Sequence, residues 1–212
     1  GVPIVEGYGL TECSPVVSIT NFAGSRVGTI GKKLPNIEIR IAEPDAQGVG
    51  ELQIRGPIVM KGYYNNLEAT REAFDGEWLR TGDLASVDAD GYLTIRGRKK
   101  ALIVNREGKN IYPEEVEGVL SQEPFVADIV VIGYTVGGLP GERVGAIVTP
   151  NLDAIRAAHG GAEPPWPEIE ALLRSRLRAR CDSLAEYKHP RKVAVQREPL
   201  ERTSVQKVRR CV

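Results

Sequence analysis

Several stretches of this chain combine residue types that can hold a phosphate, a diol or a cation. Gly7-Tyr8-Gly9-Leu10-Thr11-Glu12 sets glycines beside a hydroxyl and a carboxylate. Glycines admit close backbone approach to a phosphate, and a hydroxyl with a carboxylate can hold a phosphate oxygen and Mg²⁺. The third glycine of a dinucleotide fingerprint is missing, so a Rossmann domain is unsupported, and a structural turn accounts for the stretch equally well. Thr81-Gly82-Asp83 could present a carboxylate to a ribose, since one carboxylate accepts from two hydroxyls. The same residues also make an ordinary turn. Gly97-Arg98-Lys99-Lys100 is a basic turn or a solvated linker. Gly108-Lys109-Asn110-Ile111-Tyr112-Pro113-Glu114-Glu115 places a glycine loop before a helix N-terminus, which suits an anion or simply starts a helix. Lys207 follows Thr203-Ser204 in a basic tail of the kind that usually frays into solvent. Cys13, Cys181, His159 and His189 have no partner at catalytic or metal spacing and read as packing or surface residues.

The elements that must position these residues change character along the chain. Val2-Pro3-Ile4-Val5 reads as a short buried strand with no cap before it, an expectation of a cut piece of a larger domain. Gly7-Tyr8-Gly9 then reads as a turn. Residues 27 to 97 read as β-rich. Asn36 to Ile41 and Glu51 to Arg55 alternate with period two, with Gln47 to Gly50 turning between them, and Tyr92 to Ile95 follows the turn Asp88-Ala89-Asp90-Gly91. One helix, Leu67 to Phe74, is capped by Asn66 and ended by Asp75-Gly76. After Gly97 helices and strands alternate: an apolar run Ala101 to Val104, a helix from Pro113, strands Val126 to Ile132 and Val144 to Val148, a helix from about Pro167 to Ala185, and a last strand Lys192 to Gln196. Pro113 suits a first helical position, and Glu114, Glu115 and Glu117 suit its positive end. The boundary is expected after Gly97, giving an incomplete domain 1–97 and a small complete domain 98–212.

Composition excludes whole classes. The 28 Lys and Arg balance 28 Asp and Glu, so no basic footprint for nucleic acid exists. No apolar run approaches the roughly 20 residues of a membrane span, and no secretory leader opens the chain. Three dispersed cysteines and two histidines argue against a disulfide scaffold or a Cys/His zinc site. A cytoplasmic protein is the expectation.

In series, these stretches resemble the adenylate-forming (AMP-binding) superfamily, and within it the acyl-CoA synthetases. Tyr8-Gly9-Leu10-Thr11-Glu12, Gly50-Glu51-Leu52 through Gly62-Tyr63-Tyr64-Asn65, Arg80-Thr81-Gly82-Asp83-Leu84, Gly91-Tyr92-Leu93 through Lys100, Gly108 to Glu117, and Thr203 to Lys207 occur in the family's order. The fold implied is α+β: the β-rich end of the large N-terminal domain, a distorted barrel and sheet, followed by the small mobile lid domain. By resemblance, Tyr8 and Gly9 line the adenine and ribose site and Thr11 touches phosphate. Glu12 holds Mg²⁺, Asp83 accepts from the ribose hydroxyls beside Arg98, and Ile95 packs near adenine. Lys100 takes the hinge position, Gly108 lies on the loop bordering the pantetheine tunnel, and Lys207 bridges substrate carboxylate and phosphate.

The chemistry so implied starts with attack of a carboxylate on the α-phosphate of ATP, followed by transfer of the acyl group to the thiol of coenzyme A, with the small domain swinging at Lys100 between steps. A fatty acid is the expected substrate of a fatty acid–CoA ligase. The family's Ser/Thr/Gly-rich phosphate loop, which lies upstream, is absent, so the chain is expected to be inactive alone. Gln206 replaces the usual glycine before Lys207, and Glu201 replaces a usual proline. Two alternatives stand beside this reading: an acyl-AMP ligase or adenylation domain loading a carrier protein, and a non-catalytic nucleotide-binding or regulatory module. Peripheral membrane contact fits a fatty-acid enzyme, and oligomeric state is unreadable.

Overall fold

The computed structural model describes residues 4–21 and 24–202. It divides into compact units at Lys100 and Ala101. The boundary thus falls three residues beyond the expected one at Gly97, because the last strand of the first unit continues through Arg98.

The first unit opens with β1 (Gly7–Gly9), β2 (Val16–Ile19) and β3 (Lys32–Lys33), an antiparallel sheet in that order. Residues 7 to 9 are therefore a strand and not the expected turn. Gly9 is required there because a Cβ would lie 1.7 Å from the carbonyl oxygen of Pro15. Ile4 and Val5 form no strand and are exposed, against the expectation of a buried one.

A second sheet contains β4 (Glu38–Ala42), β5 (Gly50–Arg55), β6 (Phe74–Asp75), β7 (Trp78–Val87) and β8 (Leu93–Arg98). The long strand β7 is its spine. β5 pairs along one edge of β7, while β6 and β8 share the other, all antiparallel. Helix α1 (Leu67–Ala73) starts where Asn66 accepts from Ala69 N at 3.0 Å and gives way at Phe74 to β6. Alternation puts Leu52 and Ile54 fully inside, where they pack with Cys13, Val17, Ile37, Leu79, Ala85 and Leu93. Burying such side chains contributes roughly 1.5–3 kcal/mol each.

The second unit begins with the hairpin β9 (Ile103–Val104) and β10 (Asn110–Ile111). Helix α2 (Pro113–Leu120) carries Pro113 at its start and Glu114 and Glu115 in its first turn, as the sequence predicts. Strands β11 (Val126–Tyr134) and β12 (Arg143–Pro150) are antiparallel, and after α3 (Leu152–Ala158) and α4 (Trp166–Arg180) the chain adds β13 (Lys192–Val195) parallel to β12. α4 ends at Arg180, short of the expected Ala185, because residues Cys181–Ser183 tighten into a 3₁₀ turn. Val116 and Leu120 of α2 meet Ile169, Leu173 and Leu177 of α4 in a separate core with Ile129, Val131 and Val148.

Among the described residues no helix is long and apolar enough to cross a membrane. Of the cysteines and histidines set aside in the sequence, Cys13 and Cys181 are buried free thiols, and His159 and His189 face the carbonyls of Ile155 and Leu184.

Candidate active site

The centre of the first unit's polar cluster is Asp83, buried within β7. The register places Gln53 opposite Arg80 and Glu51 opposite Leu84. Thr81, Gly82 and Asp83 therefore face Leu52 alone, which makes a bulge rather than the turn considered from sequence. Gly82 takes a left-handed φ of 71°, the region a glycine enters without penalty. On the other edge, β8 pairs Asp83 with Arg98 and Leu84 with Gly97, then slips before Ile95 meets Ala85. With irregularities on both edges, the ladder leaves the Asp83 side chain free to be aimed by its neighbours.

Those neighbours come from three strands. The hydroxyl of Tyr8 in β1 donates to Asp83 Oδ2 at 2.5 Å. Arg98 Nε lies 3.0 Å from Asp83 Oδ1, and another guanidinium nitrogen donates to the Thr81 carbonyl at 3.2 Å. Burial pushes the Tyr8 hydroxyl well above its ordinary range, and the hydrogen bond to Asp83 adds to the shift. The proton thus stays on Tyr8, and Asp83 acts as the acceptor. Arg98 is not a solvated linker residue: its backbone is in β8, although its side chain is largely exposed. Ile95, half-buried three positions earlier on β8, packs against the apolar core.

Thr11 and Glu12 sit on a 3₁₀ turn, Thr11–Cys13, that follows β1. The Thr11 side chain belongs to an exposed residue. Glu12 is held from the segment after β5: its carbonyl accepts from Met60 N at 2.8 Å, and its Oε1 accepts from the Tyr63 hydroxyl at 2.9 Å. Tyr63 responds with a raised pKa, first through that hydrogen bond. Among the described residues no group of three His, Cys, Asp or Glu could hold a metal. Mg²⁺ typically takes only one or two carboxylates and completes its shell with phosphate and water, so the single carboxylate of Glu12 would fit it.

The remaining expected residues lie elsewhere. Lys100 is exposed in the 3₁₀ turn Lys99–Ala101. Gly108, with φ 73°, closes the β9–β10 hairpin of the second unit, where Asn105 Oδ1 accepts from Glu107 N and Lys109 N at 2.9 Å. Lys207 falls outside the described residues.

Sequence reasoning assigned no role to Glu51 or Tyr63. Tyr63 could not be linked to Glu12 from a separation of 51 positions. Glu51 occupies a polar position of the alternation, yet it is 6% exposed, as Gln53 on the same strand is 2% exposed.

The chain belongs to the AMP-binding enzyme family. The model of the AMP-binding enzyme matches residues 1–64, and that of the AMP-binding enzyme C-terminal domain matches residues 115–207. The long-chain-fatty-acid–CoA ligase FadD15 of Mycobacterium bovis is 47% identical over 63% of this chain and 21% of its own. The indoleacetate–CoA ligase of Aromatoleum aromaticum is 35% identical over 99% of this chain and 39% of its own. Among solved structures, the O-succinylbenzoate coenzyme A synthetase of Bacillus subtilis, in complex with ATP and magnesium ion, matches 97% of this chain and 40% of its own at 32% identity, with a TM-score of 0.77. The chain thus spans between about a fifth and two fifths of the length of these relatives.

Proposed function

We propose that the protein to which this chain belongs condenses a carboxylic acid with ATP to an acyl-adenylate and pyrophosphate, then passes the acyl group to the thiol of coenzyme A. The observation that carries this reading is the convergence of Tyr8, the Thr81–Asp83 bulge and Arg98 on one buried carboxylate in a chain of the AMP-binding family. Asp83 would accept from the ribose hydroxyls. Both its oxygens are already aimed by partners, so little order is lost when the nucleotide arrives. Thr11 would donate to a phosphate oxygen. Mg²⁺ on Glu12 would offset phosphate charge. Lys207, as a mobile point charge, would bridge the acid and the phosphate in the first step, and the Gly108 loop would border the pantetheine in the second, with Lys100 as the pivot of the exchange and the second unit as the moving domain. The acid is a fatty acid, a choice supported by the name of the long-chain relative.

Residues 1–212 alone carry out neither step, because the family's phosphate loop is not among them. Pyrophosphate release from ATP and a fatty acid tests both statements: the full gene product should release it, and residues 1–212 should not exceed the blank. Release by residues 1–212 would overturn the second statement, and silence from the full gene product with every acid tried would overturn the first. In that product, Lys207→Ala should abolish adenylation yet retain thioester formation from supplied acyl-AMP. Equal loss of both steps contradicts the role given to Lys207.

A further inference from the structure

We infer that Glu51 is a positioning residue for the nucleotide carboxylate Asp83, acting through the backbone of Gly82. The inference rests on the reading of Asp83 given above. A bulge removes ladder partners from the residues it contains, and each freed polar group needs a substitute. Here two of the substitutes are side chains. The Thr81 hydroxyl donates to the Leu52 carbonyl at 2.7 Å and accepts from Asp83 N at 3.1 Å. The N–H of Gly82 donates to Glu51 Oε1 at 3.3 Å. Glu51 is thus a side-chain replacement for a missing strand carbonyl.

Its second oxygen has a different task. Glu51 Oε2 lies 3.0 Å from Lys99 Nζ, one residue beyond the Arg98 that pairs with Asp83. The Glu51 side chain is 7% exposed. A carboxylate so deeply placed is costly unless both oxygens are partnered, and a neutral residue would fill the strand more cheaply. What the acid adds is a tie between the two stretches that flank Asp83: the bulge in β7 and the end of β8. Gly82 is flexible by nature, so without an acceptor on its N–H the bulge can relax and turn Asp83 away from the ribose position.

The test uses the full gene product and compares kcat/KM for ATP with that for 2′-deoxy-ATP and 3′-deoxy-ATP in pyrophosphate release. A merely structural loss lowers all three alike. Mispositioning of Asp83 instead shrinks the preference for the intact ribose. Glu51→Ala should narrow that preference by about tenfold, the scale on which small displacements of a positioned group act. Glu51→Gln, which keeps an acceptor for Gly82, should restore most of it. Glu51→Thr, a strand former too short to reach Gly82, replaces Glu51→Ala if that variant does not fold. An unchanged preference in Glu51→Ala or Glu51→Thr overturns the inference, as does a Glu51→Gln variant no better than either. Wild-type protein that uses the deoxynucleotides as well as ATP overturns the reading of Asp83 itself.

Discussion

Replacing Tyr8 by phenylalanine removes one oxygen and leaves Asp83 Oδ2 without the donor that lies 2.5 Å away. Asp83 keeps Arg98 at 3.0 Å, but that side chain is 61% exposed and compensates little through solvent. A hydrogen bond to a buried charged group is worth about 1.5–3 kcal/mol, so Tyr8→Phe should destabilise the first unit by about 2 kcal/mol at pH 7. The chain has two tryptophans, one in each unit, so a Trp166→Phe background makes Trp78 fluorescence report the first unit alone. Urea titration should show a lower midpoint with an unchanged slope. The pH dependence is the sharper part. In the unfolded chain Tyr8 ionises at its ordinary value near 10, whereas burial and Asp83 keep it protonated in the folded state. Its stabilising contribution is therefore intact below pH 10 and is lost as pH rises further toward the folded value. Wild type should lose about 1.4 kcal/mol per pH unit above 10 relative to Tyr8→Phe, and the gap between them should narrow between pH 9 and 11. A gap below about 0.5 kcal/mol at pH 7, within the range of an ordinary surface change, or one that stays constant to pH 11, refutes the reasoning.

Leu173→Ala empties a fully buried site in the second unit's own core and should cost that unit about 2–5 kcal/mol, read by Trp166 fluorescence, with the Trp78 transition unmoved. Gly82→Ala meets no clash, since the nearest atom to the new Cβ is an Arg98 nitrogen 3.6 Å away, so urea unfolding should show only the backbone cost of about 1–2 kcal/mol. Cys13 is fully buried and its thiol is pushed up to about 11, by burial first and Glu12 second. In a Cys181→Ser, Cys211→Ser background, a disulfide reagent at pH 8 should modify it only as fast as the first unit opens, and stoichiometric labelling within the mixing time would contradict that burial.

Much of the architecture was legible because it rests on local rules. Period-two alternation located β4 and β5, Asn66 marked the start of α1, and Pro113 with its acidic neighbours marked the start of α2. Three of the misreadings share one cause. Gly7-Tyr8-Gly9, Thr81-Gly82-Asp83 and Gly97-Arg98 are glycine-containing and read locally as turns, yet all lie in strands. Their glycines serve close approach and bulges, which exist only once a partner strand is present. Likewise the apolar stripe of α4 runs on to Leu184, but the helix stops at Arg180 where the 3₁₀ turn begins.

The residue types of the site were written in the sequence, because a carboxylate, a phenol, a hydroxyl and a guanidinium carry their chemistry with them. Local periodicity likewise set which strands and helices would form. Tertiary structure decided which of those groups meet. Tyr8 and Asp83 are 75 positions apart and Glu51 and Lys99 are 48 apart. Their pairing follows from strand order and register, and register places a polar side chain in the core or in water according to what the neighbouring strand presents. That is why Glu51, a polar position of an alternating strand, is a buried acceptor for a bulge.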